Sequence, residues 1–253
     1  PVVISAEDGI QLHGWLFDPD CAGAKPHLYA ICCHGYSGQP QDMAKYAHRF
    51  ARLGFTVLVP ALRGHGLSEG RYAGMGWLDR RDLMRWISLI IDSDADARIL
   101  LQGKSMGAAA VMMTVGEPDL PRNVVAAVED CGYASVGQQF IDCARSMFHL
   151  PKFLAKPIVT TMGAIARRRA GYGFQEASCV EQLKHATIPM LFIHGGADDF
   201  VPSRALDENF DACASIDRQK LLIPSAGHSM SASTAPVVYW KTVTNFVTRV
   251  FGL

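Results

Sequence analysis

This 253-residue chain has no cysteine pair at metal-binding or redox spacing. Its seven cysteines are odd in number, include no CxxC, and two of them, Cys32 and Cys33, sit inside an apolar run. That usage excludes a disulfide framework and fits a reducing compartment, so a cytoplasmic location is expected. There is no HExxH and no paired His/Cys spacing, so neither a metal nor a cofactor is expected. No apolar run approaches the ~20 residues that a membrane-spanning helix needs. No signal-peptide pattern is visible either, although the chain starts at Pro1 and leaves open what stood before it. A surplus of one charge is also missing: 24 Lys plus Arg face 24 Asp plus Glu. Nucleic-acid binders usually carry a basic excess or stripe, so no nucleic-acid partner is expected. The chain has no Ser/Gly-rich linker, no internal repeat and no low-complexity tract.

What is present is a regular alternation. Short apolar runs at 2–5, 11–17, 27–33, 55–59, 99–102, 124–129, 190–194 and 221–223 read as strands. Segments with helical spacing separate them at 43–53, 79–91, 106–115 and 203–212, and a last helix spans 237–251. Strands alternating with helices imply βαβ units. The expected fold class is therefore α/β: a mostly parallel sheet of about eight strands, helices on both faces, and an antiparallel edge from the first two strands. Residues 135–180 break the rhythm. They are apolar at helical spacing, basic, and lack a convincing strand, which predicts a small helical cap inserted into a single domain of residues 1–253.

The strongest chemical signal is Gly103-Lys104-Ser105-Met106-Gly107. It follows one predicted strand and precedes a predicted helix. A GxSxG in that setting turns the chain sharply and exposes the serine on a strained backbone at a helix N-terminus. The flanking glycines remove Cβ atoms that would clash there. A chance loop would not need the strand–turn–helix context. The Gly-Lys-Ser within the motif also resembles the end of a phosphate-binding loop, but that loop needs glycine five residues before Gly103, where Arg98 stands.

A serine hydroxyl is a weak nucleophile until a base takes its proton, and the base needs an acid to orient it. On such an elbow the chain order is Ser, then Asp or Glu, then His. His149, His185, His194 and His228 follow Ser105. His228 lies in a small-residue loop between the last predicted strand and helix, the best place for a mobile base. Asp198, Asp199 and Asp130 each end or follow a core strand. Asp198 is favoured and Asp130 held in reserve, although aspartates at such positions also cap turns.

These blocks resemble the α/β-hydrolase superfamily over nearly the whole chain. His34-Gly35-Tyr36, Arg63-Gly64-His65-Gly66, the GxSxG, His194-Gly195-Gly196-Ala197-Asp198-Asp199-Phe200-Val201-Pro202 and Gly227-His228 all match its motifs. The segment Gly74-Met75-Gly76-Trp77-Leu78-Asp79 resembles a subgroup of bacterial hydrolases. The resemblance implies catalytic Ser105, Asp198 and His228, with Asp198 chosen over Asp199. It also implies an oxyanion hole from the backbone N–H groups of Tyr36 and Met106. A carboxylesterase-like serine hydrolase acting on a small-molecule acyl ester is expected. A thioesterase or peptidase on the same triad, or a non-catalytic binding protein, is the alternative. One departure is Ala61, where the superfamily usually has Asp in the loop after the fourth strand, which puts that loop's rigidity in question. The cap's basic residues, Arg145, Lys152, Lys156 and Arg167-Arg168-Arg169, read as a solvated face, a positive pocket mouth or a membrane-contacting surface.

Overall fold

The computed structural model describes residues 1–20 and 25–253, and Cys21, counted above, lies outside the described residues. The strands are β1 (Val2–Ser5), β2 (Gln11–Phe17), β3 (Leu28–Cys33), β4 (Thr56–Pro60), β5 (Arg98–Lys104), β6 (Val124–Asp130), β7 (Met190–Gly195) and β8 (Arg218–Ile223). They form one sheet in the order β1-β2-β4-β3-β5-β6-β7-β8. β2 runs antiparallel to both of its neighbours, and all other pairings are parallel.

The helices are α1 (Ala44–Arg52), α2 (Asp79–Ser93), α3 (Met106–Thr114), α4 (Val136–Phe148), α5 (Lys152–Ala170), α6 (Cys179–Leu183), α7 (Arg204–Ala212), α8 (Ser231–Thr234) and α9 (Pro236–Phe251). They cover both faces, so the central strands are buried on both sides. This explains why those strands read as unbroken apolar runs rather than alternations. In β5, Ile99 and Leu101 join the core under α2 and α3, while Leu100 joins the core under α1 and α9. α9 buries Tyr239, Trp240, Val243, Phe246, Val247 and Phe251. At ~1.5–3 kcal/mol for each fully buried large apolar side chain, that contact is worth roughly 10 kcal/mol, enough to hold the C-terminal helix as a structural layer.

The helix expected over 43–53 is α1, Ala44–Arg52. A 3₁₀ turn, Pro40–Met43, leads into it. Asp42 Oδ2 accepts a 2.8 Å hydrogen bond from the Gln39 amide, and Pro40 carries no N–H to leave unpaired. Gly54 ends α1 at φ +99°, a left-handed geometry that glycine adopts without a Cβ penalty.

Residues 135–180 leave the sheet after β6 and return before β7. They hold α4, α5 and the start of α6. A single antiparallel bridge, Ser135 with Ser178, closes their neck. Both serines also cap: Ser135 Oγ accepts from the Gln138 amide and Ser178 Oγ from the Glu181 amide, each at 3.2 Å.

Candidate active site

Ser105 stands between β5 and α3 at φ 55°, ψ −119°. Few non-glycine residues adopt that conformation, and it costs on the order of 1–3 kcal/mol. The surrounding close packing holds it there. A Cβ on Gly103 would run into the backbone of Gly107 and Ala108, and one on Gly107 into the carbonyls of Cys33 and His34. The Ser105 amide donates to the Asp130 carbonyl at 2.8 Å, tying the elbow to β6.

Ser105 Oγ lies 2.8 Å from His228 Nε2, and His228 Nδ1 lies 2.7 Å from Asp198 Oδ2. Residues 123 and 30 positions apart are thus joined in one hydrogen-bonded chain. Asp198 is gripped from several sides. Its Oδ1 accepts from the amides of Phe200 (3.0 Å) and Val201 (2.8 Å), and His194 Nε2 approaches Oδ2 at 3.4 Å. Burial alone would raise this carboxyl's pKa. The two histidines and the Val201 amide outweigh it and hold the group well below the usual carboxylate range.

The other acid candidates fall elsewhere. Asp199 is exposed. Asp130 is buried at the end of β6, where its Oδ2 accepts the Tyr239 hydroxyl at 2.9 Å, with the Tyr46 hydroxyl at 3.5 Å. His149 caps α4 in a left-handed conformation, and His185 follows α6 with its amide on the Gln182 carbonyl. Neither is joined to Ser105.

The His34-Gly35-Tyr36 turn runs beside the serine: a Cβ on Gly35 would lie 3.2 Å from Ser105 Cβ. His34 fixes this turn. Its Nε2 accepts from the Leu62 amide at 3.0 Å, so the proton sits on Nδ1, which donates to the Gly35 carbonyl at 2.8 Å. Burial pushes its pKa down to about 4, which keeps the ring neutral and both bonds intact. Among the described residues, the amides of Tyr36 and Met106 have no hydrogen-bond partner. The Met106 amide also opens α3, where the helix dipole favours negative charge.

The loop that carries Ala61 is braced by other means. Arg63 holds Asp82 through Nε and Nη2, both at 2.6 Å, and Asp8 through Nη1 at 2.9 Å. Ser68 Oγ donates to the Ala61 carbonyl at 2.7 Å and accepts from the His13 amide at 2.9 Å.

Two neighbours of the site went unread in the sequence. Cys131, at φ 54°, brings its Sγ, an Asp198 oxygen and a His228 nitrogen within 4.8 Å of one another. Burial raises its thiol far above the ordinary value, and Sγ contacts Ser229 Oγ at 3.4 Å. It is a neutral packing partner beneath the histidine loop. Glu129, the preceding-but-one residue on β6, is fully buried. Its Oε2 accepts from the Gly132 amide at 3.0 Å and its Oε1 has no partner. Desolvation is the main cause that raises its pKa to about 8.

The raised Glu129 value has a thermodynamic consequence. The folded state keeps a proton that the unfolded chain releases above about 4.5. The associated stability is fully present below that value and is lost as pH rises toward about 8. Glu129→Gln is expected to flatten that slope, so the variant gains a few kcal/mol on wild type between pH 5 and pH 8. Urea midpoints at pH 5, 6.5 and 8 check this, and a difference that stays constant across pH would refute a protonated Glu129.

A cavity of about 580 Å³ opens onto Ser105 and Met106. Tyr133 and Tyr36 line it from the sheet side, and Phe140, Met162, Ile165 and Phe174 from residues 135–180. Phe140 and Phe174 stack with ring centroids 4.7 Å apart and planes 11° from parallel. Arg71 and Arg169 also line it, and none of its lining residues is an aspartate or glutamate. No helix among the described residues is long and apolar enough to cross a membrane.

Known proteins resemble this chain to different depths. YqkD of Bacillus subtilis is 26% identical over 218 residues, which is 86% of this chain and 70% of that protein. YfhR of Escherichia coli K12 is 26% identical over 235 residues, 90% of this chain and 72% of that one. Among solved structures, the Pyrococcus furiosus esterase Pf2001 superposes with a TM-score of 0.78 at 20% identity, covering 98% of this chain and 91% of that one. Est1E from Butyrivibrio proteoclasticus, solved with ferulic acid bound, gives 0.71 at 16% identity with full coverage of both chains. These two similarities bear on the fold. The sequence signature of the serine aminopeptidase S33 family matches residues 24–162, more than half the chain and including the Ser105 elbow. The chain therefore belongs to that family of hydrolases, within the α/β-hydrolase superfamily.

Proposed function

We propose that this protein hydrolyses a carboxylic ester through Ser105, His228 and Asp198. The observation that carries the reading is the continuous hydrogen-bonded chain from Ser105 Oγ through His228 to a carboxylate held ionised, opening onto an apolar cavity. His228 Nε2 takes the Ser105 proton as Oγ attacks the acyl carbonyl. Asp198 keeps Nδ1 protonated and stabilises the imidazolium that forms. The amides of Tyr36 and Met106 receive the oxyanion, and losing one such donor costs about 3 kcal/mol of transition-state stabilisation. His228 returns the proton to the leaving alcohol. Water then enters, His228 deprotonates it, and the acyl-enzyme is released as the free acid. Residues 135–180 act as a cap over this site and shape what reaches Ser105.

The family description favours a second reading, removal of an N-terminal residue from a peptide. An aminopeptidase has to hold a free ammonium close to the scissile bond. The cavity beside Ser105 offers two arginines and no carboxylate for that task, which supports the ester reading. A thioester would meet the same groups.

A fluorophosphonate probe tests the nucleophile. Wild type is expected to be labelled and Ser105→Ala is not. Equal labelling of both, or of neither, would return the chain to the class of non-catalytic binding proteins on this fold. A p-nitrophenyl ester series beside the matching p-nitroanilides and acyl-CoA then ranks ester, amide and thioester.

A further inference from the structure

Arg71 and Arg169 are set apart from the other arginines by their place beside Ser105, since they are the two among the described residues that line its cavity. Arg63, Arg80, Arg81, Arg167, Arg204 and Arg249 each pair with a carboxylate. Among the described residues, Arg71 and Arg169 pair with none, and both are exposed side chains lining the Ser105 cavity. The run Arg167-Arg168-Arg169 divides accordingly. Arg167 reaches Glu176 at 2.8 Å, Arg168 lines a separate cavity between α4 and α5, and Arg169 turns to the site.

Their shared location is built into the fold. Arg71 lies on the segment between β4 and α2, and Arg169 lies in the last turn of α5. The Tyr172 hydroxyl donates to the Ala73 carbonyl at 3.1 Å, fastening the end of α5 to that segment. The Tyr133 hydroxyl donates to the Met75 carbonyl at 2.9 Å and anchors the same segment from below. Two guanidinium groups thus line one apolar cavity with no carboxylate of the protein to neutralise them, in a chain whose formal net charge is zero.

We infer that the site selects an ester whose apolar body carries a carboxylate, recognised by Arg71 and Arg169. This deepens the proposed ester hydrolysis and rests on it. Planar guanidinium groups match carboxylates in paired, charge-assisted hydrogen bonds, and a cleft with low-dielectric walls focuses their field on an incoming anion. A singly charged carboxylate also fits the aromatic walls better than a phosphate dianion, which costs more to strip of water.

The test compares esters matched in size. On the acyl side the pair is mono-p-nitrophenyl adipate against p-nitrophenyl hexanoate. On the alcohol side it is 4-carboxyphenyl butyrate against phenyl butyrate. Wild type is expected to favour the carboxylate member of at least one pair by about 10- to 100-fold in kcat/KM, in line with hydrogen bonds to charged groups. That ratio should fall toward one in Arg71→Gln/Arg169→Gln and shrink in 0.5 M salt. A ratio near one for both pairs in wild type, or one that survives the double substitution, overturns the inference. If no ester is turned over, the hydrolytic reading has failed separately. The arginine site is then read without turnover by titrating 4-phenylbutyrate and 4-phenylbutyramide into wild type and the double variant. Tighter binding of the anion in wild type alone sustains the inference, and equal binding refutes it.

Discussion

Ser105→Ala is expected to lower kcat for the best ester about a millionfold while KM changes little, because the hydroxyl acts in the transition state and not in ground-state binding. His228→Ala should fall almost as far, and the double variant hardly further, since a nucleophile without its base is nearly as inert as no nucleophile. The residue left over, about 10³–10⁴ above the uncatalysed rate, would report the Tyr36 and Met106 amides and the cavity. Steady-state kinetics with an active-site titrant measures this. A Ser105→Ala enzyme that keeps even a tenth of wild-type kcat would remove Ser105 from the chemistry. A companion variant separates chemistry from strain. Ser105→Gly should be equally inactive yet no less stable than Ser105→Ala, since φ 55° costs glycine little.

The second large effect concerns folding. Gly107→Ala is expected to cost more than about 4 kcal/mol, above the ~1–3 kcal/mol usual for overpacking. The added methyl would meet the carbonyls of Cys33 and His34, which are backbone atoms of a central strand and the turn after it, so no rotamer change relieves the collision. Gly171→Ala is the control. Nothing lies within 4 Å of a Cβ there, and only φ +80° opposes it, at about 1–2 kcal/mol. Urea unfolding and soluble yield read both. A Gly107→Ala protein within 1 kcal/mol of wild type would mean that α3 can lift away from β3, and that the elbow is not held by close packing.

Those two glycines also show what a sequence can and cannot disclose. The elbow is readable because its demands are local: a glycine on either side, a strand before and a helix after. The alternation of strands and helices is readable for the same reason, and so is the antiparallel edge, because Asp8-Gly9 joins two short runs. Asp198 and His228 could be nominated by chain order and resemblance. Their meeting depends on where β7 and β8 lie beside β6, a property of the assembled sheet. Interactions made entirely by tertiary neighbours left no trace. Arg63 is braced by Asp82 and Asp8, 19 and 55 positions away, so the missing acid at position 61 suggested a looseness that the loop does not have. Cys131 reads as one more buried cysteine until the histidine loop folds over it. The 3₁₀ turn Pro40–Met43 ahead of α1 is not readable in the sequence because it makes no amphipathic stripe.

The neck at Ser135 and Ser178 has a consequence for how such molecules diversify. Everything between those two residues enters and leaves the body at one bridge, while Ser105 precedes the segment and Asp198 and His228 follow it. The register of β6 on β7 is set by strand residues that all lie outside this segment, so a segment of another length spliced at the bridge is expected to leave that pairing in place. Under the function proposed above, duplicated genes with this layout would exchange residues 135–180 and change diet in a single recombination event, inheriting Ser105, Asp198 and His228 together.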